Sequence, residues 1–332
     1  MTIDISFIIV SWNAKAFLLS CLESIVRTVH DCAYEIIVVD NASDDGSPDA
    51  VEAAFPQVRV LRLEENLGFA AGNNRGIANS RGRWLCLVNS DVELLPGCVD
   101  GLLRVMEGGA DIGLIAPRIL NADRTLQRSC RRFPSLWHSF CSALGLSAIV
   151  PNSEFFGGTF MRWWPHDTQR DVDIVSGCFW FVRSEVMTRI GGLDEEFFMY
   201  GEDIDWCRRL HAQGWRIEFT PESEAIHHGG GSSRNQPLRF FMAQQEADLR
   251  YWSKHHGPFA TSIRAGIMLL HQCVRIVAHC AIYPLRHHSR DEQRFKIARS
   301  VACTRWLIGG GWRQHAIAAP RPLYREERAG HV

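Results

Sequence analysis

The sequence predicts an α/β protein: a mostly parallel central sheet flanked by helices, followed by a helical, basic C-terminal extension. Three observations carry this. Short apolar runs alternate with helix-period segments through the first third of the chain, polar loops follow the apolar runs, and from Pro237 onward the pattern is wholly helical. The composition agrees. Of 332 residues, 46% are hydrophobic and 22% charged, with a net charge of -1, so a core can form and no charge excess holds the chain open.

The elements follow in order. "ISFIIV", "EIIVVD", "VRVLRL" and "RWLCLV" read as strands. Between the first two, Phe17, Leu18, Cys21, Leu22 and Ile25 recur at helical spacing from Lys15 to Arg27. Ser47 and Pro48 start the next helix, serine as cap and proline where its missing N–H does no harm. A third helix runs from about Ala70 to Asn79, and Pro96 opens a fourth. The loops "SWN", "DNASDDGS" and "NSDVE" end the first, second and fourth strands, and in parallel sheets such ends converge on a ligand cleft.

Residues 121–173 are irregular and rich in turns and aromatics, as substrate loops often are. Phe155, Phe156, Trp163 and Trp164 there suit either stacking against a substrate or anchoring of the loop itself. Two strands around Ser176 and Gly177 follow, then a short helix, a helix with Trp206, Cys207 and Leu210 on its apolar side, and the strand "RIEFTPES".

The small net charge conceals a division. From Asn235 to the end, 15 Lys and Arg face 6 Asp and Glu, which leaves the front of the chain acidic and its tail basic. An acidic body argues against nucleic-acid binding. In the tail, Arg264, His271, Arg275, His279 and Arg286 stack on one helix face, with Ile267, Leu270, Val274, Val277 and Ala281 opposite. That pattern suits a core-docked helix with a solvated basic stripe, or a helix lying in the plane of a membrane surface. The eleven cysteines form no C-x-x-C pair and read as reduced core residues of a cytosolic protein. "MTIDISFIIV" reads as a strand and not a signal peptide, and no uncharged apolar run reaches the length of a membrane span. The expectation is a cytoplasmic protein, soluble or peripheral on the membrane.

Four groups of residues could carry chemistry. Asp40 ends the second strand, where an acid can hold a nucleoside or close an Asx-turn. The loop after strand one has no glycine, so the pyrophosphate turn of a dinucleotide site is absent. Asn89 and Asp91 flank Ser90 at a strand end, placing an amide oxygen and a carboxylate where they can hold a hard divalent cation or shape an ordinary turn. Glu202, Asp203 and Asp205 begin a helix, where acids suit the dipole. Their apolar surroundings would also raise a carboxyl into the range of a general base. His227, before a glycine run, could complete a metal site with Asp91.

Taken in order, "SFIIVSWNAKAFLLSCLESI", "EIIVVDNASDDGS", "NLGFAAGNNRGI", "WLCLVNSDVELLPG", "LQRSCRRFPS", "VSGCFWFVRSEVMTRIGGLDEEFFMYGEDIDWCRRL" and "AIHHGGGSS" resemble family 2 glycosyltransferases. The rhamnosyltransferase-like subgroup of bacterial cell-surface polysaccharide synthesis is most similar, over roughly residues 3 to 255. The resemblance implies a GT-A fold over residues 1–235, with 236–332 as an extension. It implies an inverting transferase that takes a nucleotide-sugar, with dTDP-rhamnose favoured, and a divalent cation, Mg²⁺ or Mn²⁺. The acceptor would be a saccharide or lipid-linked saccharide. Ser11, Asn13, Asp40, Asn66, Gly68, Asn74 and Asn89 match the donor side, and Asp91 and His227 match the metal side. Asn89 stands where the metal motif usually has its first carboxylate. Asp203 matches the catalytic base, with Glu202 second. The chemistry is consistent: an inverting transfer needs one base and a cation on the leaving diphosphate, where a glycosidase needs two carboxylates. A sugar nucleotidyltransferase would want a glycine-rich basic loop after strand one, where only Lys15 stands. A non-catalytic sugar-binding relative would have lost Asp91 or Asp203, and both are present.

Overall fold

The computed structural model describes residues 3–229, 237–283 and 290–313. Its first half runs β1 (Ile5–Ser11), α1 (Lys15–Thr28), β2 (Tyr34–Asp40), α2 (Ser47–Ala54), β3 (Arg59–Arg62), α3 (Gly68–Ala78), β4 (Trp84–Val88), β5 (Val92–Leu94), α4 (Cys98–Gly108) and β6 (Ile112–Leu120). There follow β7 (Leu126–Gln127), β8 (Cys130–Arg131), α5 (Leu136–Ala143), α6 (Leu146–Ile149), α7 (Glu154–Gly157) and a 3-10 turn, Gly158–Phe160. Then come β9 (Arg170–Asp171), β10 (Ile174–Val175), β11 (Phe179–Arg183), α8 (Ser184–Ile190), α9 (Glu202–Ala212), β12 (Arg216–His227), α10 (Pro237–Ile282) and α11 (Arg290–Ile308).

The main sheet has the order β3-β2-β1-β4-β11-β6-β12-β5, with β7 beside β6 and β9 beside β12. β3, β2, β1 and β4 are parallel, as their βαβ spacing predicts, while β11 enters antiparallel to both β4 and β6. Every residue of β4 is buried, which is why it reads as an unbroken apolar run. One face of the sheet packs Leu18, Leu22 and Ile25 of α1 and Leu102 of α4, and the other packs Trp206, Cys207 and Leu210 of α9 with Val186 of α8. The chain passes from β1 outward to β2 and β3 and returns to β4 on the other side of β1. The crevice between the carboxyl ends of β1 and β4 is therefore the switch point where ligands bind.

Several expectations change in detail. Gly46, at φ 73, is the N-cap of α2, and Ser47 is its first residue, held by Asp45. The fourth helix begins at Cys98 behind Gly97 and not at Pro96. Residues 121–173 are not an open loop: three short helices fold there, and α5 packs against α10. Trp164 is core, stacked on His166 and edge-on to Phe219, and Trp163 lies between Arg132 and Arg170, so neither is a sugar platform. α10 breaks at Gly257 (φ 77), followed by Pro258.

The basic stripe of α10 is also reversed from the solvated arrangement. Arg264, His271 and Arg275 line an interior cavity, and His279 bonds Gln293 of α11 at 2.8 Å. The aliphatic side, with Leu270 and Val277, faces outward, Val277 being 69% exposed. Arg286 lies outside the described residues, as do Gly230, Gly231 and Ser232 of the glycine run. Of the eleven cysteines, eight are buried, Cys32 is half-buried, and Cys273 and Cys280 are exposed on α10. By length and composition, one described helix, α10, is apolar enough to cross a membrane, and little of its most apolar stretch is buried.

Candidate active site

A cavity of about 750 Å³ opens at the switch point and runs from Val10 and Asn89 past Glu202 and Asp203 to Arg275 and Arg299. Its near end is built by strand ends. Ser11 pairs in register with Asp40, and Asn13 accepts the Asp44 N–H at 2.9 Å while Ser43 accepts the Asn13 N–H at 3.0 Å. Asp40 is buried; one carboxylate oxygen accepts from the Ser43 N–H and the other is buried without a partner, as is the Ser11 hydroxyl. Buried polar atoms need partners, so these two oxygens are free to meet a bound group.

Asn66 caps the turn before α3, accepting the Gly68 N–H at 2.9 Å. Gly68 has φ 88, and a Cβ there would stand 2.3 Å from the Phe198 carbonyl oxygen, so only glycine fits. Asn74 serves differently. Its amide clasps both backbone groups of Leu193 and reaches Glu195, tying α3 to the loop before α9. Ser11 pairs with Asp40, Asn13 is tied to the Ser43–Asp44 turn, and the Asn41 side chain joins that strand end to Leu67 and Gly68; the cavity wall itself is formed here by their neighbours Val10, Ala14 and Phe69, and Asn74 holds the scaffold.

The metal-side residues meet because β5 and β12 pair antiparallel, His227 opposite Val92. This sets His227 Nε2 3.3 Å from Asp91 Oδ1, and the His228 N–H donates to the Asp91 carbonyl at 3.0 Å. Gln127, whose amide N–H groups are directed at the His227 and Asn121 oxygens, offers its Oε1 to His227 Nδ1 at 2.6 Å. Because Gln127 Oε1 can only accept, Nδ1 carries a proton, and the Nε2 edge of the ring is turned to the Asp91 carboxylate, where the pair could hold a cation. Asn89 Oδ1 is buried nearby without a partner. Among the described residues no group of three or more His, Cys, Asp or Glu could hold a metal alone. His228 is directed elsewhere, at Glu93 (2.8 Å) and the Phe17 ring.

The three acids of α9 separate by environment. Asp205 is fully buried and is gripped by Arg209 (2.9 Å), Lys254 (2.7 Å) and His255 (2.8 Å). Burial alone would raise its carboxyl, but the His255 hydrogen bond and the charges of Arg209 and Lys254 hold it down at about 2. It ties α10 to α9 and does not line the cavity. Glu202 and Asp203 do line it. Glu202 is pushed well above the usual carboxylate range by burial and by Asp203 beside it. Asp203 pairs with Arg131 at 2.6 Å. Arg131 reaches it because the short β8–β10 ladder sets Arg131 opposite Ile174, over α9. Sequence reasoning assigned no role to Arg131 or Gln127. Both stand inside the "LQRSCRRFPS" block, where the run of basic residues around Arg131 was the available signal.

Comparison with known proteins gives the class first. The fold matches a mannosyltransferase from Pyrobaculum calidifontis solved in complex with GDP-Man and Mn²⁺, with TM-score 0.52 over 92% of this chain and 86% of that one, at 14% identity. The architecture is therefore GT-A, with a C-terminal helical extension. Residues 6–189 match the family described as "Glycosyl transferase family 2", and the chain belongs to that family. It is 28% identical over 263 residues to an N-acetylglucosaminyl-diphospho-decaprenol L-rhamnosyltransferase of Mycobacterium tuberculosis, covering 70% of this chain and 81% of that protein. It is 30% identical over 128 residues to the rhamnosyltransferase WbbL of Escherichia coli, covering 38% and 44%.

Proposed function

We propose that this glycosyltransferase moves a sugar, rhamnose from dTDP-rhamnose in the first instance, onto a lipid-linked saccharide with inversion, in cell-envelope polysaccharide synthesis. The observation that carries the reading is the convergence of Asn89, Asp91 and His227 with Glu202 and Asp203 on one cavity at the β1/β4 switch point. Residues 1–235 form the catalytic unit and 236–332 the extension. Ser11, Asn13, Asp40, Asn66 and Gly68 hold the nucleoside side, and the Asp40 and Ser11 oxygens left unpaired are the groups that would meet it.

Asp91 and His227, with Asn89 Oδ1, would hold a divalent cation, Mg²⁺ or Mn²⁺; when bound, it supplies charge neutralisation for the departing diphosphate. Asp203 takes the proton from the acceptor hydroxyl, because it lines the cavity with Arg131 holding its carboxyl in place, while burial keeps the proton on Glu202. Glu202, protonated, offers a hydrogen bond to the sugar or acceptor. The aliphatic face of α10 supports peripheral contact with the inner face of the cytoplasmic membrane, now through apolar side chains in place of the basic stripe.

Calorimetry and thermal shift with a panel of nucleoside diphosphates and nucleotide-sugars, with and without Mn²⁺, test the donor side. Stabilisation by dTDP with Mn²⁺ is expected. Indifference to every nucleotide would overturn the reading.

A further inference from the structure

Beyond Glu202 and Asp203, the cavity continues to an end that the donor chemistry does not use. It is lined by Asp248, Arg264, His271, Gln272 and Arg275 of α10, and Arg299 of α11. Arg264 and Arg275 stand along one face of α10, the charge of Arg275 reaches Arg299 of α11, and Asp248 is the one carboxylate at this end, 2.9 Å from Arg264. Among the described residues neither Arg275 nor Arg299 has a carboxylate partner; Arg299 lies over the Phe241 ring at 4.9 Å. Burial, and then the charge of Arg275, lowers the Arg299 guanidinium from its ordinary value. His271, pushed to about 4 by burial and by Arg275 and Arg264, is neutral at physiological pH. The cluster therefore carries three positive charges against one negative.

Buried polar atoms point the same way. The Nε groups of Arg264 and Arg299 and the hydroxyl of Ser300 are buried without partners, and these are donors that an anion can satisfy. Partly buried cations that repel one another and lack counter-charges are unfavourable unless an anion completes them. The guanidinium fork matches phosphate oxygens two at a time.

We propose that this end of the cavity is a second anion site, which takes the diphosphate of a lipid-linked acceptor and so sets the acceptor sugar against Asp203. The excess of two positive charges answers the two negative charges of a diphosphate diester. α10 that supplies Arg264 and Arg275 turns Leu270 and Val277 outward, where a lipid chain leaves the headgroup. The inference rests on the transferase reading above but extends it to the acceptor's chemistry.

The test is calorimetric binding of farnesyl diphosphate and of inorganic diphosphate to the full chain in EDTA, which keeps the Asp91 side from holding either probe. Farnesyl diphosphate is expected to bind wild type and to weaken at least tenfold in both Arg275→Gln and Arg299→Gln. Arg299→Lys should recover part of the affinity, and Arg104→Gln, an exposed control paired with Glu222, should change nothing. Both cavity variants should melt no lower than wild type, because each removes a repelled cation; a lower melting temperature with unchanged affinity would assign the arginines to structure and overturn the site. Equal affinity in wild type and variants overturns it directly. Inorganic diphosphate binding as tightly as farnesyl diphosphate overturns the lipid-linked source. Failure of the transferase reading would appear separately, as absence of sugar transfer with this anion binding intact.

Discussion

Replacing Asp205 by Asn tests how the extension is fixed to the catalytic unit. Asp205 receives Arg209, Lys254 and His255 in a site with no solvent exposure. A carboxyl held from an ordinary 3.8 down to about 2 corresponds to about 2.5 kcal/mol of preference for the ionised form in the fold. Removing one member of a buried charge network costs about 3–5 kcal/mol. Here the lower end applies, because Lys254 keeps Asp194 at 2.6 Å and Arg209 keeps the carbonyls of Ile190 and Gly192. The expected loss is about 3 kcal/mol, a fall in Tm of about 5–10 °C, read by urea and thermal unfolding. The sign with pH follows from the lowered carboxyl. In wild type this stabilisation is complete above about pH 4 and is lost as pH falls through about 2, whereas Asp205→Asn should lack that part of the acid limb. A variant melting within about 1 °C of wild type would refute the reasoning.

Other outcomes are as specific. Gly68→Ala forces a Cβ against the Phe198 carbonyl at positive φ, and it should destabilise by about 2 kcal/mol or more in chemical denaturation. Gln127→Leu removes the group that orients His227, and it should weaken Mn²⁺ affinity about 10–100-fold by calorimetry while leaving Tm without metal nearly unchanged. His271 is neutral in the fold down to about pH 4, whereas in the unfolded chain it takes a proton below about 6.5. Stability should therefore fall as pH drops from 6.5 to 4, by about 2 kcal/mol after allowance for partial exposure, and His271→Gln should flatten that interval in pH-dependent unfolding.

Much of the near end of the site was legible in the sequence because parallel βαβ units announce themselves locally: Ser11, Asp40, Asn89 and Asp91 stand at the ends of apolar runs. What the sequence does not display is pairing at long range. The meeting of His227 with Asp91, made by the β5–β12 ladder, is expected from the residue types, but Arg131 reaches Asp203 through β8–β10, between segments with no shared periodicity. Motif position does not show contacts either: the Asn74 amide is engaged by both backbone groups of Leu193, far away in sequence. The α10 stripe is the sharpest case. Helical spacing separates cations from aliphatics correctly, but which face turns inward depends on whether a cavity receives the cations, and here one does.

The central claim is that Asp203 removes the acceptor proton while Glu202 stays protonated. The most direct measurement is the single-turnover transfer rate of Asp203→Asn and Glu202→Gln with donor and acceptor saturating, alongside calorimetric donor affinity. The account predicts that Asp203→Asn loses about 10²–10⁴ in rate with donor binding retained, and that Glu202→Gln stays within about tenfold of wild type. Transfer by Asp203→Asn within a few-fold of wild type, with Glu202→Gln inactive, would contradict it and move the base to Glu202.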